Sequence, residues 1–392
     1  MKRTSFIAML LALFVGLSAA PAEAATFSDV PSTHWAAKEI SYLSDRGILK
    51  GGSNGKYNKD ASVTKAQAAA ILVRAKKLSL TNVPNPKFSD VPTSHPFYKE
   101  IAAAVNAGWF SKGTKFQPDN QLKRVEMAKI TQLAFDVKGS VPVQWEDMNT
   151  SYSGNTYVTP LLASGITSGY TTTTFNPSAK VTRAQFAVFV ARAMDSKFRL
   201  KVVNYPKRAA EGIYYPQFVD TTKQHDFSSL NSYFRESGSD LVAERDEIME
   251  LAQEDDYLGE YYEFVVDYTV PRADGNYISV LFESYQYTGG AHGYEQLFAD
   301  NYDVKSNSFI SLDDLATKYY YEENVIDRIN TQAYAMQNRG QIGFWDGLYS
   351  LDEHQYQFYM KPNGFVMFFN PYEYGPYSDS IRQFTMPYSL IR

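Results

Sequence analysis

Three cationic residues at equal spacing are the strongest chemical signal in this sequence. Lys65, Arg124 and Arg183 are separated by 59 residues each, and each stands at the head of an apolar run with helical spacing. The first turn of a helix carries unpaired N–H groups and a partial positive charge, which together attract anions. An arginine there adds a planar pair of donors that fits a carboxylate. These positions therefore predict three carboxylate-binding sites, with solvated cations that bind nothing as the alternative.

The three positions differ in how well they suit a carboxylate. Arg183 follows a threonine that matches a helix-capping pattern, whereas the neighbours of Arg124 lack that pattern. Lys65 keeps the positive charge but loses the bidentate geometry of a guanidinium. We therefore rank Arg183 above Arg124, and both above Lys65.

The residues that most often carry catalysis are absent or scattered. The chain has no cysteine, which excludes disulfides, thiol catalysis and zinc bound by cysteine. Its five histidines form no local metal signature, and no G-x-S-x-G element is present. These histidines are His34, His95, His225, His292 and His354. A carboxylate pair of the glycosidase type stays open, but we predict no catalytic residue, no metal and no cofactor.

The string YTGGAHG is the sharpest local feature of the second half of the chain. Gly289, Gly290 and Gly293 allow positive φ and close approach of the backbone between strands. Tyr287 opens the string, and we interpret His292 as an imidazole that stabilises the turn. A catalytic or binding role for this histidine is the alternative.

Other residues recur in the same order near each of the three cations, which indicates three copies of one unit. Each copy has an aspartate that we interpret as a local cap or turn former, and a glycine follows it after 18 residues. The aspartates are Asp29, Asp90 and Asp147, and the glycines are Gly47, Gly108 and Gly165. The glycine ends a first helix, a polar loop follows, and the cation begins a second helix. Such a unit is too small to bury its apolar face alone, so we expect the three copies to pack around a shared centre.

The order of these landmarks resembles the S-layer homology family, with copies at residues 25–83, 84–140 and 141–198. The resemblance implies an all-α, pseudo-threefold module of helix-loop-helix repeats. It also implies a secreted protein on the cell wall or S-layer surface of a Gram-positive bacterium. The implied ligand is a secondary cell-wall polysaccharide bearing pyruvate ketals, not nucleic acid, with the cation contacting the ketal carboxylate. The candidate wall-binding positions are Arg183, Arg124, Lys65, Trp109, Gly47, Gly108 and Gly165.

Trp109 has two interpretations in that module. It directly follows Gly108, which makes it a candidate to stack on a sugar ring. A core position at the end of a helix is the more frequent environment of such a tryptophan.

Residues 1–24 are interpreted as a signal peptide. They combine a positive start, an apolar run too short for a membrane span and a small-residue cleavage pattern. No later stretch approaches the roughly 18 apolar residues of a membrane helix, so we expect no membrane span once the peptide is removed.

Charge and tyrosine content change near residue 200. Residues 25–200 carry 22 Lys and Arg against 12 Asp and Glu, whereas residues 201–392 carry 14 against 30. Of the 30 tyrosines, 24 lie from Tyr205 onward. We interpret the change as a domain boundary, with a first half suited to a polyanion. Mutual attraction of the two halves is the alternative.

Residues 199–392 predict an α+β domain with a mostly antiparallel sheet and helices on one face. Amphipathic spacing indicates a helix at 227–253 and another over 311–337. Hairpins are predicted around ADGN and PNG, and a further strand follows YTGGAHG.

YTGGAHG and the later NPYEYGPY make this domain similar to an uncharacterised extracellular domain of PdaC-type deacetylases and of lysozyme-sensing anti-sigma factors. The resemblance implies a lysozyme-like protein or a glycan as partner. Two subunits, about 203–290 and 291–392, are an alternative division. The favoured function is a non-catalytic, wall-anchored protein that displays a binding or sensing domain. A wall-processing hydrolase is the main alternative, and a lattice-forming protein is a weaker one.

Overall fold

The computed structural model describes residues 27–343, 345–351 and 356–392. The signal peptide prediction for residues 1–24 and the histidine at position 354 lie outside these ranges. The described chain has a helical first part and an α+β second part, with an antiparallel-dominated sheet, as the sequence predicts.

Six helices form the first part, two in each copy. They are α1 Ala37–Ser44, α2 Lys65–Ala75, α3 Tyr98–Asn106, α4 Arg124–Phe135, α5 Asn155–Ala163 and α6 Arg183–Met194. Helices α2 and α6 begin with capping boxes, formed by Thr64 with Gln67 and by Thr182 with Gln185. At the start of α4 only the Glu126 side chain caps, by accepting a hydrogen bond from the N–H of Lys123. The three glycines predicted to end the first helices have φ of +68°, +81° and +69°. This left-handed conformation confirms their role as helix ends.

The aspartate of each copy clamps a distant loop. Asp29 accepts hydrogen bonds from the N–H groups of Tyr57 and Lys59, at 2.7 and 3.1 Å. Asp90 and Asp147 accept equivalent pairs of bonds in their own copies. Burial raises the pKa of Asp29 and Asp90, but these backbone bonds outweigh it and the pKa is below its ordinary value. Each aspartate was expected to act as a local cap or turn former. It instead holds the loop before the second helix through long-range hydrogen bonds.

A triangle of backbone hydrogen bonds joins the three copies. Val63 N–H donates to the Val181 carbonyl, Val181 N–H to the Leu122 carbonyl, and Leu122 N–H to the Val63 carbonyl, at 2.9 to 3.0 Å. These three side chains are buried, and one apolar cluster extends through all three copies. The copies therefore share a core, which the small size of each one requires.

The described residues of the second part include nine strands and three α-helices. They are β1 Val202–Ala210, β2 Ile213–Asp220, α7 Ser228–Glu254, β3 Glu263–Ala273, β4 Tyr277–Tyr287, β5 Tyr294–Asp303, β6 Ser308–Phe309, α8 Leu312–Leu315, α9 Tyr321–Asn338, β7 Gln357–Lys361, β8 Gly364–Phe369 and β9 Arg382–Pro387. Strands β1 to β6 form one sheet in sequence order, and β7 to β9 form a second. All pairs are antiparallel except β2 with β3, which meet in parallel at Ile213 and Val266.

The two sheets stack face to face, and each carries helices on its outer face. Helix α7 packs on the six-stranded sheet through Phe234 and Phe282. Helix α9 packs on the three-stranded sheet through Ile329 and Phe384. The inner faces meet where Leu297 packs among β7 and β8 residues. The sequence predicts one sheet with helices on one face, whereas the structure has two stacked sheets. Strand β8 is apolar and buried on both of its faces, as a strand between two layers must be.

A division of the second half near residue 290 would separate two strands that pair with each other. Strands β4 and β5 pair along their length, from Tyr277 with Asp303 to Gln286 with Tyr294. The proposed boundary thus falls inside a continuous sheet. At the junction with the first half, Leu200 N–H donates to the Gly165 carbonyl, and Val203 joins the helical core.

Candidate functional site

The N–H groups that begin α2, α4 and α6 are not free. The first two N–H groups of each helix donate to loop carbonyls of another copy, at 2.9 to 3.1 Å. In α6 these donors are Arg183 and Ala184, and the acceptors are Ala61 and Lys59. The prediction of unpaired N–H groups is therefore wrong, because the neighbouring copy satisfies them. Any anion held here must be held by side chains.

The Arg183 side chain links the third copy to the first. Its Nε donates to the Tyr57 carbonyl at 2.8 Å, and Nη2 donates to the Lys50 carbonyl at 3.1 Å. The guanidinium also lies over the buried Tyr57 ring, 4.4 Å from its centre. It lines an inter-copy groove of about 450 Å³, here called the Arg183 groove, together with Lys50 and Arg74. Arg183 is thus a structural link that still borders a cationic groove.

Arg124 is a buried structural residue. Its side chain is 7% exposed, Nη2 donates to the Ser168 carbonyl at 3.0 Å, and the guanidinium lies 4.6 Å from the Phe175 ring centre. Burial lowers the pKa of Arg124 to about 10. A polymer has little access to this guanidinium.

Lys65 borders a second cationic groove between copies. This Lys65 groove has a volume of about 210 Å³ and lies between the start of α2 and the second copy. Four lysines and one glutamate line it, namely Lys65, Lys112, Lys115, Lys129 and Glu126. The Lys65 Nζ is 3.9 Å from a Glu126 carboxylate oxygen, a weak pairing that leaves the groove with excess positive charge.

Trp109 forms part of the wall of the Lys65 groove but is only 6% exposed. The structure therefore places it in the helix-end core, which is the more frequent environment of such a tryptophan, with little ring face open to a sugar. The three glycines also have a structural role, since each adopts a positive φ that favours glycine. Only at Gly165 would a Cβ also meet another residue, at 2.2 Å from the Leu200 carbonyl oxygen.

YTGGAHG forms a closed turn between β4 and β5. Tyr287 donates its hydroxyl hydrogen to the Gly290 carbonyl at 3.0 Å, and Gly289 and Gly290 have φ of +88° and +98°. The His292 ring stacks on Tyr377 with centres 3.8 Å apart, and its Nδ1 lies 2.9 Å from the Gly293 carbonyl oxygen. A Cβ at Gly293 would lie 2.4 Å from the Tyr285 ring. The turn and the NPYEYGPY segment, which contains Tyr377, therefore pack against each other.

A cleft between α7 and β5 was not indicated by any motif. It consists of two adjoining hollows of about 450 and 350 Å³, which share Tyr233, Ala299, Asp300 and Gln357. The Tyr233 hydroxyl donates to Asp300 at 3.0 Å. Burial raises the pKa of Asp300 to about 6, although the Tyr233 hydrogen bond lowers it. We name this feature the α7–β5 cleft. Nothing in the sequence indicated it, because a single aspartate in a strand of alternating polarity does not mark a site.

In the described parts of the chain, no group of three or more His, Asp or Glu side chains is placed to hold a metal ion. No helix of residues 27–343, 345–351 or 356–392 is both long and apolar enough to cross a membrane.

Two known family models match segments of this chain, one in each part. The S-layer homology domain model matches residues 26–69, 87–128 and 146–187. The model described as deacetylase PdaC matches residues 210–295. Each S-layer homology match lies within one of the three copies and contains its first helix and the start of its second.

Known relatives share part of this chain. An S-layer protein of Bacillus thuringiensis subsp. finitimus is 30% identical over 183 residues, which are 45% of this chain and 22% of that protein. An uncharacterised cell wall amidase of Bacillus anthracis is 29% identical over 177 residues, 44% of this chain and 32% of the amidase. The chain thus spans less than a third of each. A solved DUF3298 family structure from Bacteroides fragilis overlaps 41% of this chain and 63% of its own, with 23% identity and a TM-score of 0.30.

Proposed function

We propose that this chain, which carries three S-layer homology domains followed by a PdaC-type domain, is a secreted protein that binds the Gram-positive cell wall non-covalently. The ligand would be an acidic secondary wall polysaccharide that bears pyruvate ketals. The observation that carries the proposal is the Lys65 groove, where Lys112, Lys115 and Lys129 join Lys65 around one cavity between two copies.

The groove suits spaced carboxylates for electrostatic reasons. Several lysines around one concave surface focus positive potential and raise the local concentration of an anionic polymer. Lysine ammonium groups on flexible stems act as point charges and adapt to carboxylates at varied positions. Within residues 25–200, Lys and Arg outnumber Asp and Glu, which extends this positive potential beyond the groove. Binding should therefore weaken as salt screens these charges.

The three cation positions have unequal roles in this proposal. Lys65 contributes most, because it shares its groove with three further lysines and is not used to hold another copy. Arg183 comes next, because its guanidinium borders a groove with Lys50 and Arg74 while holding Tyr57. Arg124 supports the fold, because it is buried. We also propose a pseudo-threefold arrangement of the copies, which the cyclic hydrogen bonds among Val63, Leu122 and Val181 support.

The PdaC-type domain is proposed to be non-catalytic and displayed from the wall for binding. A lysozyme-like basic protein or a glycan would suit its acidic composition. The wall-processing hydrolase remains the second hypothesis, and turnover of peptidoglycan fragments by the full chain would favour it.

The wall-binding proposal is tested by retention on purified cell wall. We expect Lys65→Ala, Lys112→Ala and Lys115→Ala together to weaken retention at least about 10-fold, because charge-assisted contacts contribute roughly 1.5–3 kcal/mol each. The matched control removes three exposed lysines outside the groove, Lys56, Lys99 and Lys138. Removing pyruvate from the wall should reduce retention of the wild type to that of the groove variant. Equal retention of both triple variants would contradict the assignment of the groove, and unchanged retention on pyruvate-free wall would contradict the ligand.

A further inference from the structure

The α7–β5 cleft combines aromatic faces with planar polar groups. The Tyr233 and Phe309 rings at its mouth are 37% and 42% exposed, and their centres are 4.4 Å apart. Asp300 lies beside Tyr233, and the Gln357 side chain lies across the cleft from α7. Sugar rings present apolar C–H faces together with hydroxyl and amino groups. Aromatic rings pack against the faces, and carboxylate and amide groups bind the polar substituents.

The edge of β5 beside the cleft is closed to an added strand. The Leu297 N–H donates to the Asn370 side chain at 2.8 Å, and the Asn370 amide donates back to the Leu297 carbonyl at 3.0 Å. The Ala299 N–H donates to the Gln357 side chain at 3.1 Å. A peptide that binds by extending a sheet needs such groups unpaired. The side chains of Gln357 in β7 and of Asn370, which follows β8, occupy them, and this disfavours an extended peptide as the occupant.

The charge of the cleft favours a cationic ligand. Asp240 and Glu244 of α7 line the same cleft as Asp300, and the described lining residues include no Lys or Arg. The other titratable groups that line it are Tyr233, Tyr215 and Tyr356. Three carboxylates in a concave site repel an anionic polymer and attract an ammonium group. Ring faces also favour cations through their negative quadrupole.

We propose that the α7–β5 cleft binds a short glycan that carries free amino groups. The Asp300 carboxylate accepts hydrogen bonds from an ammonium group, and the Tyr233 and Phe309 rings pack against the sugar faces. This site lies in the PdaC-type domain and does not depend on the wall-binding proposal, because its ligand has the opposite charge.

The unfavourable ionisation of the Asp300 carboxyl supports a functional role for this residue. Its pKa of about 6 means that ionisation in this buried position is unfavourable. Groups that reduce stability in this way are found preferentially at functional sites. An ammonium ligand would compensate the charge, so binding should strengthen as Asp300 ionises.

The test is calorimetric titration of the full chain with a tetramer of glucosamine, and separately with its fully N-acetylated form. We expect the glucosamine tetramer to bind severalfold more tightly at pH 6.5 than at pH 5.0, since ionisation of a group with a pKa of about 6 rises steeply over that interval while the sugar amines are still partly protonated. The acetylated tetramer, which lacks ammonium groups, should bind at least about 10-fold more weakly at pH 6.5.

Variants assign the binding to the cleft. Asp300→Asn should remove the gain in affinity between pH 5.0 and pH 6.5 and weaken binding at pH 6.5 at least about 10-fold, while its melting remains cooperative. Asp267→Asn removes a carboxyl from β3, which does not line the cleft, and should bind as the wild type does. Wild-type binding by Asp300→Asn would overturn the site, and equal binding of both tetramers would overturn the ammonium contact. Binding of tetralysine but neither tetramer, with loss in Asp300→Asn, would identify a peptide site and overturn the glycan.

Discussion

Equivalent positions in the three copies carry cations whose surroundings give them different chemistry. Lys65 faces a groove shared with other lysines, whereas the Arg124 side chain is enclosed between Ser168 and Phe175. A guanidinium buried against a ring face supports packing, and its burial keeps a ligand away from its remaining donors. The residue type alone therefore does not decide which cation binds.

Replacing Arg124 should affect stability more than binding. Arg124→Ala removes a buried hydrogen bond and leaves a cavity beside Phe175, which we expect to cost about 2–4 kcal/mol. Urea unfolding measures this loss. Retention on wall at low temperature, where the variant is still folded, should fall less than twofold. A folded variant that lost most of its retention would show that Arg124 contacts the polymer directly.

Asp220 should make the entry to α7 sensitive to acid. The carboxylate is buried and accepts hydrogen bonds from Thr222 and His225. Burial raises its pKa, but these bonds outweigh burial and the folded pKa is about 2. Because the folded value is below the unfolded value of about 3.9, the carboxylate stabilises the fold above pH 4 by about 2–3 kcal/mol. That stability is lost as pH falls through 2.

Asp220→Asn tests the pH dependence directly. We expect the variant to lose about 2–3 kcal/mol at pH 7 and to approach the wild type below pH 3, as measured by amide exchange of β2 and α7. Asp246→Asn, at an exposed position of α7, is the control and should show neither effect. A difference between Asp220→Asn and wild type that stayed constant from pH 7 to pH 2 would contradict the argument.

Elements with strong local signals were predictable from the sequence, and those that depend on distant partners were not. Helix α7 and the hairpins β3–β4 and β7–β8 follow from spacing and turn residues. Strands β1 and β2 were missed because Pro206 and Pro216 argue against a strand. In the structure the two prolines face each other in an antiparallel pair. The α7–β5 cleft was also missed, because Tyr233 and Asp300 meet only through packing of α7 on the sheet.

Two glycines that end helices allow their conformation to be separated from their packing. Gly47 and Gly165 have nearly equal φ, +68° and +69°, but only at Gly165 would a Cβ meet a backbone oxygen, at 2.2 Å from Leu200. Gly47→Ala should therefore cost about 1 kcal/mol, the cost of a left-handed alanine. Gly165→Ala should cost at least about 2 kcal/mol more, because the junction to β1 must shift. Thermal unfolding of both variants makes the comparison, and equal losses would show that the Leu200 contact relaxes freely.

The opposite charges of the two halves suit two ligands of opposite charge. A cationic groove in the first half and an acidic cleft in the second each repel the ligand proposed for the other. Such repulsion contributes to specificity as much as attraction does. One chain would then hold an acidic polymer at the Lys65 groove and an amino-bearing glycan at the α7–β5 cleft without competition.

The three copies should unfold as one unit, because they share their centre. Val181 is 1% exposed and is hydrogen-bonded to both Leu122 and Val63. Val181→Asp places a carboxylate in this apolar centre, at an expected cost of at least about 4 kcal/mol. Amide exchange should then show loss of protection in α2, α4 and α6 together, while β8 stays protected. Val366→Asp, buried between the two sheets, is the matched control and should show the reverse pattern. Protection that persisted in α2 after Val181→Asp would mean that the copies fold independently, and the grooves between them would then lack a fixed geometry for the polymer.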